Sequence, residues 1–331
     1  MWLSEHPAFK DLLRAAADYN GMRLELVEKD YWVTRVLRSV CDDAALAGCV
    51  IFKGGTSLSK GFKLIDRFSE DVDLLLTGPA FGALPADKEV EKTLRRVFTT
   101  VCSGTGLICP RKDVPSGQAP DWYVRRKYNS VFRLLLPGCS VSSSLSMDVV
   151  KVEPGFRGGP NPHTLRNISS LAAEFLVGQP SGIRQTFEAC QDIEPFPMEL
   201  LAPSRTFVEK LFAAHKSAVD GEIQVRHLYD LTRLRHDPGV IAALENGTIA
   251  KLISDVIQIS QKFYHLQIDE VSFDLRTSPA FKPTPEQRQQ FRRRYEADKD
   301  YYYKGQPPFD EIMREIDAIR ETLPQPKELR R

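Results

Sequence analysis

The segment running from Lys53 to Leu76, KGGTSLSKGFKLIDRFSEDVDLLL, constrains this chain more than any other. It reads as a glycine turn, a short helix, a second turn and a strand that opens with two aspartates. Asp71 and Asp73 stand two residues apart, so on a strand they project from the same face. Adjacent carboxylates repel each other unless a cation lies between them. Oxygen donors at this spacing suit Mg²⁺, or Mn²⁺ in its place, because such an ion takes one or two protein carboxylates and completes its shell with water and substrate phosphate. Upstream, Lys53, Gly54 and Gly55 bring the backbone close to a ligand. Thr56 and Ser57 are placed to cap the next helix, whose free N–H groups favour an anion. A phosphate cradle beside an acidic pair is the layout of a nucleotidyl-transfer site.

Around this segment, Cys49–Phe52 is an apolar run long enough for a buried strand. The short helix is expected over Thr56–Leu64 and carries Lys60 and Lys63, each either reaching a triphosphate or lying in solvent. Arg67 neutralises phosphate or buttresses Glu70, and Ser69 and Glu70 support the pair from behind. A helix is expected over Lys88–Thr105, with Val90, Leu94, Val97 and Val101 on its buried stripe. Residues 110–121 read as a loop. Trp122–Leu136 alternates as one strand, and Ser143–Val152 forms the next. Asp148 sits there among apolar neighbours, where a lone carboxylate is costly. Lys151, of opposite parity, is expected to point outward.

At 331 residues the chain can form two compact lobes. The expected division is a lobe over 1–198 and a mainly helical lobe over 199–331 that closes a cleft. Net charge is +1, so no global field draws the chain to nucleic acid. Six cysteines without a C-x-x-C pair read as reduced thiols of a cytoplasmic protein. No apolar run reaches the roughly 18 residues of a membrane span, and the N-terminus lacks a signal sequence.

Before the central segment, two helices are read over residues 5–40, with Lys29, Asp30 and Tyr31 on a solvated turn. Residues 153–203 read as linker and peripheral strands. Ser204 then caps a helix over Thr206–Val219 with Lys210 at the edge of its buried stripe, and a further helix starts near Val225 with Asp230 on its flank. The segment 288–304, RQQFRRRYEADKDYYYK, interleaves basic residues with Phe291, Tyr295, Tyr301, Tyr302 and Tyr303. It is the best candidate for a nucleic-acid face, the alternative being a helix with one solvated side.

The central segment resembles the first motif of the AbiEii/AbiGii-type nucleotidyltransferase toxins, which include the MenT toxins and belong to the polymerase β-like nucleotidyltransferase superfamily. E-K-D-Y at residues 28–31 and PSRTFVEKLFAAHK…RHLYDL resemble further family segments, though His227 stands where many members carry aspartate. The resemblance implies an α/β fold with a mixed sheet, a third carboxylate at Asp148 completing the Asp71–Asp73 metal site, and active-site roles for Lys210 and Asp230. It implies an enzyme of the EC 2.7.7 type that moves NMP from an NTP to an RNA acceptor, first the tRNA 3′ end. The setting would be a toxin–antitoxin pair acting in growth inhibition or phage defence, with a cognate antitoxin. The alternatives are nucleotidylation of a protein or small molecule, or a non-catalytic nucleotide-binding module.

Overall fold

The structure, a computed structural model, describes residues 1–69, 71–77, 86–110, 123–138, 147–156, 158–264 and 273–326. Glu70, most of the 110–121 loop, Trp122 and residues 143–146 of the expected strand lie outside the described residues.

Seven strands form one sheet: β1 Val50–Lys53, β2 Asp71–Leu76, β3 Tyr123–Arg125, β4 Ser130–Leu135, β5 Val149–Gly155, β6 His163–Ile168 and β7 Phe196–Leu201. Their order is β3-β4-β5-β2-β1-β7-β6. β2 runs antiparallel to β1 and parallel to β5, and β1 runs parallel to β7. The sheet is therefore mixed, as the resemblance implies.

Six helices accompany it: α1 Phe9–Asn20, α2 Leu24–Asp42, α3 Gly54–Lys60, α4 Asp87–Thr105, α5 Leu171–Val177 and α6 Ser181–Thr186. α1 ends at Gly21, whose left-handed φ of 61° closes the helix. α4 buries Val90, Leu94, Val97 and Val101, the stripe its periodicity predicts. β1 and β2 are nearly continuous apolar runs because both lie in the interior of the sheet.

The remaining helices are α7 Pro203–Val219, α8 Arg226–Leu234, α9 Pro238–Glu245, α10 Thr248–Tyr264, α11 Pro285–Ala297 and α12 Phe309–Thr322. Phe207, Val208 and Leu211 of α7, Leu228, Leu231 and Leu234 of α8, and Ile312, Met313 and Ile316 of α12 are buried. Among the described residues no helix is long and apolar enough to cross a membrane.

The chain divides into two compact units. One comprises Met1–Gly61, Phe68–Phe156 and Thr164–Leu200; the other comprises Phe62–Arg67, Arg157–His163 and Leu201–Arg331. The second unit thus takes the short stretch before the acidic strand.

Several local expectations are corrected. The strand expected through Leu136 is a hairpin, β3 and β4, closed by the Arg126 N–H donating to the Asn129 carbonyl at 2.8 Å. The region 153–203 contributes β7 to the sheet beside β1. α3 starts at Gly54 and ends at Lys60, and the residue after it is glycine because a Cβ there would lie 2.0 Å from the Leu200 side chain. α7 starts at Pro203, whose fixed φ and missing N–H suit a first helical position, so Ser204 lies inside the helix.

Candidate functional site

The first unit carries the acidic face. Asp71 and Asp73 stand on β2 at alternate, half-buried positions, with the apolar Val72 pointing the other way. Parallel pairing with β5 sets Lys151 opposite Asp71 and Glu153 opposite Asp73. Lys151 Nζ lies 3.3 Å from Asp71 Oδ2 and also pairs with Glu153. Burial disfavours the Lys151 ammonium, but Asp71 and Glu153 overcome that and hold its pKa above the ordinary lysine range. The outward orientation expected of Lys151 is therefore corrected: it is the cation of the acidic face.

Asp148 is corrected as well. It lies in the turn before β5, and its carbonyl accepts from the Leu136 N–H at 2.9 Å. It is three residues from the position opposite Asp71, about 10 Å along a strand, and of the wrong parity. The carboxylate beside the Asp71–Asp73 pair is Glu153. The signal for it in the sequence is Lys151-x-Glu153, whose two-residue spacing matches that of Asp71 and Asp73 across the parallel ladder.

Gly54 adopts a φ of +79°, and a Cβ there would fall 2.1 Å from Asp73 Oδ2. Its missing side chain makes room for a protein carboxylate, where the sequence suggested a ligand. Gly54→Ala should destabilise the fold by roughly 1–3 kcal/mol and push the Asp73 carboxylate aside. Urea unfolding checks the first effect. A weaker melting-temperature rise on adding Mg²⁺ and NTP checks the second.

The remaining cradle residues face inward. Thr56 is buried, and its hydroxyl donates to the carbonyls of Asp71 at 2.5 Å and Ser69 at 3.3 Å. Ser57 is fully buried and donates to the Gly54 carbonyl at 2.9 Å. Neither caps α3; Lys53 occupies the cap position, and its side chain does not cap the helix. Together these bonds lock α3 to the start of β2 and so fix Gly54 against Asp73. Gly55 is buried beside them, and Ser69 enters through its carbonyl. Lys60 is also buried. Its ammonium binds Asp30 Oδ1 at 2.6 Å and the Ser169 carbonyl at 2.9 Å, which removes it from the phosphate ligands expected. The solvated turn expected at 29–31 is internal: Lys29 and Tyr31 are buried, and Asp30 takes the Lys60 charge.

Arg67 belongs to the second unit. Its guanidinium forks onto Asp230, with Nε to Oδ1 at 2.7 Å and Nη2 to Oδ2 at 2.6 Å. Lys210 Nζ reaches the same carboxylate at 2.7 Å. Asp230 is wholly buried, and Arg67 and Lys210 are 3% and 9% exposed. Burial alone would raise the Asp230 pKa, but the two cations reverse this and hold the group ionised far below the usual carboxylate range. Arg67 and Lys210 thus share one carboxylate, Asp230, which has no exposed surface.

His227 Nδ1 lies 3.3 Å from Lys210 Nζ. Burial, then the Lys210 charge, lowers its pKa well below the ordinary histidine value. A depressed histidine binds its proton in the unfolded chain first, so its contribution to stability is complete above about pH 6.5 and shrinks as pH falls. His215, lowered mainly by burial, acts in the same direction. Stability should therefore fall below that pH by at most about 1.4 kcal/mol per pH unit for each such group. Urea midpoints from pH 7 to 5 check this, and His227→Gln should flatten the slope by about one proton.

Most of the aromatic residues of the 288–304 segment turn inward, with Tyr301 and Tyr303 half-buried. Phe291, Tyr295 and Tyr302 are buried. Tyr302 packs edge-on against Tyr229 at 4.9 Å and Tyr295 at 5.7 Å, while the Tyr303 hydroxyl donates to the Ile65 carbonyl. Arg288 and Arg292 pair with Asp310, Arg294 donates to the carbonyls of Gly221 and Ile223, and Lys304 pairs with Asp66. Aromatic burial accounts for Phe291, Tyr295 and Tyr302 in the interleaved pattern.

The profile described as "Nucleotidyl transferase AbiEii toxin, Type IV TA system" matches residues 35–315, which include the acidic face and the Arg67–Lys210–Asp230 cluster. The chain belongs to the AbiEii nucleotidyltransferase toxin family. Its fold is similar to that of MenT4, a nucleotidyltransferase toxin from Mycobacterium tuberculosis H37Rv, with a TM-score of 0.54 and 16% identity over 96% of this chain and 92% of the other. A search of curated proteins found no match. Membership in this family makes the chain a nucleotidyltransferase toxin of the toxin–antitoxin type.

Metal binding can be judged on the donors present. Among the described residues no group of three His, Cys, Asp or Glu side chains is arranged to hold an ion. Asp71 and Asp73 nevertheless fit Mg²⁺, which needs only one or two carboxylates when substrate phosphate supplies the rest. The second of them lies close against the Gly54 backbone.

Proposed function

We propose that this AbiEii-family chain transfers NMP from an NTP to an RNA acceptor, first the tRNA 3′ end, and so blocks translation. The Asp71–Asp73 pair, presented on one face of β2 and pinned against Gly54, is the observation that carries this reading. Asp71 and Asp73 are the residues that would hold Mg²⁺. When bound, the ion would screen the triphosphate and the charge that develops on the leaving pyrophosphate. Lys151, seated between Asp71 and Glu153, is the cation that would meet substrate phosphate beside the pair. Glu153 is placed to accept the acceptor hydroxyl's proton. In the second unit, Lys210, the lysine to which the family resemblance gives an active-site role, is held by Asp230. A cognate antitoxin is the expected partner.

A protein or small-molecule acceptor is the second reading, favoured by the burial of Phe291, Tyr295 and Tyr302. One assay separates the two: total bacterial RNA, protein and Mg²⁺ with each labelled NTP in turn, beside Asp71→Ala. Label on tRNA-sized RNA that is absent with the variant supports the first reading. Label on protein or small molecules replaces it with the second, and no label at all would sink both.

A further inference from the structure

A cavity of about 290 Å³ opens in the first unit between Trp2, α2 and α4, and shares no residue with the acidic face. Arg35, Arg38 and Arg96 bring three guanidinium groups to its wall. Arg96 is already neutralised. It forks onto Asp43 at 2.6 and 2.8 Å, and Asp43 also accepts from the Thr100 hydroxyl and the Ala45 N–H.

Arg35 is different. It is 4% exposed, in the middle of the apolar face of α2, and its Nη2 donates to the Gly104 carbonyl at 2.6 Å. Its Nε and Nη1 are buried and have no hydrogen-bond partner. Its guanidinium carbon lies 3.2 Å from the centre of the Trp2 ring. Arg38, one turn further along α2, donates to the Glu194 backbone carbonyl and covers the Phe196 ring at 4.6 Å. Among the described residues neither Arg35 nor Arg38 forms an ion pair. Two like charges three residues apart on one helix face repel, and a buried guanidinium without an anion is costly. Burial accordingly lowers the pKa of Arg35.

We propose that this pocket binds a small phosphate monoester carrying hydroxyl groups, of sugar-phosphate to nucleoside-monophosphate size. The phosphate meets Arg35 and Arg38, since guanidinium matches phosphate oxygens in charge and geometry. Other lining groups suit hydroxyls. Asp42, on α2, is an acceptor, and Ser39 of α2 and Ser103 of α4 have spent their donors on the carbonyls of Val36 and Thr99, leaving oxygen lone pairs. The volume is close to the roughly 300 Å³ at which small-molecule sites begin, well above what inorganic phosphate fills.

Isothermal titration of the full chain with ribose 5-phosphate, inorganic phosphate and ribose tests this, with EDTA present so that Asp71 and Asp73 hold no metal. Ribose 5-phosphate should bind about tenfold or more tightly than phosphate, and ribose should not bind. Arg35→Met and Arg38→Gln should each weaken ribose 5-phosphate binding about tenfold or more, whereas Asp71→Asn should leave it unchanged. Arg35→Met keeps the apolar stem but gives up the Gly104 bond and the Trp2 contact, so its urea midpoint is measured beside its affinity. Arg38 is only half-buried, so its variant gives an independent check. Affinity unchanged in both arginine variants, loss in Asp71→Asn, or no heat at millimolar ribose 5-phosphate would overturn the assignment. Equal affinity for inorganic phosphate would overturn the monoester part of it.

Discussion

Asp71→Ala is expected to slow nucleotidyl transfer by about 10³-fold or more. A metal-bound carboxylate supports several kcal/mol of charge stabilisation in the transition state, and each ~1.4 kcal/mol is tenfold in rate. Folding should hardly change. The Asp71 side chain is 24% exposed, its partner Lys151 retains Glu153, and an ion pair this open to water contributes at most about 1 kcal/mol. Asp71→Asn keeps the shape and loses the charge, so it should behave alike in the rate assay. Single-turnover rates on labelled NTP, together with urea midpoints, make the comparison. A variant with a rate within tenfold of the parent would show that the acidic face is not where the chemistry occurs.

Asp230→Asn should act in the opposite way, on stability first. Asp230 is 0% exposed and holds both Arg67 and Lys210. An amide takes a shared anion from two buried cations, and breaking a buried pair typically destabilises by about 3–5 kcal/mol. The urea midpoint should drop sharply at unchanged slope. The depressed pKa of Asp230 means that its contribution is present above about pH 4 and is lost only in strong acid as pH falls through the folded value. A loss below about 1 kcal/mol would mean that the two cations find water instead, and the cluster would then be a poor account of what holds α7 to α8.

Elements whose cause is local were legible in the chain. The stripe Val90–Leu94–Val97–Val101 made α4, the apolar runs made β1 and β2, and the two-residue spacing put Asp71 and Asp73 on one face. Each follows from a helical or strand period, which a few neighbouring residues suffice to define. The partners of those elements were not legible. That Lys151 and Glu153, and not Asp148, lie beside the aspartates depends on the register of β5 against β2, and a shift of one residue reverses every face.

The fate of the charged residues likewise waited on the fold. Lys60 and Arg67 look alike in sequence as phosphate ligands, yet one is spent on Asp30 and the other on Asp230. Those acids lie 30 and 163 residues away in the chain. Thr56 and Ser57 turned to backbone carbonyls because α3 starts two residues earlier than its capping pattern suggests. The sequence alone determined the kind of strand and the carboxylates it would display. Tertiary structure decided which cations those carboxylates and their neighbours would meet, because ion pairing depends on distances that only chain-distant packing sets.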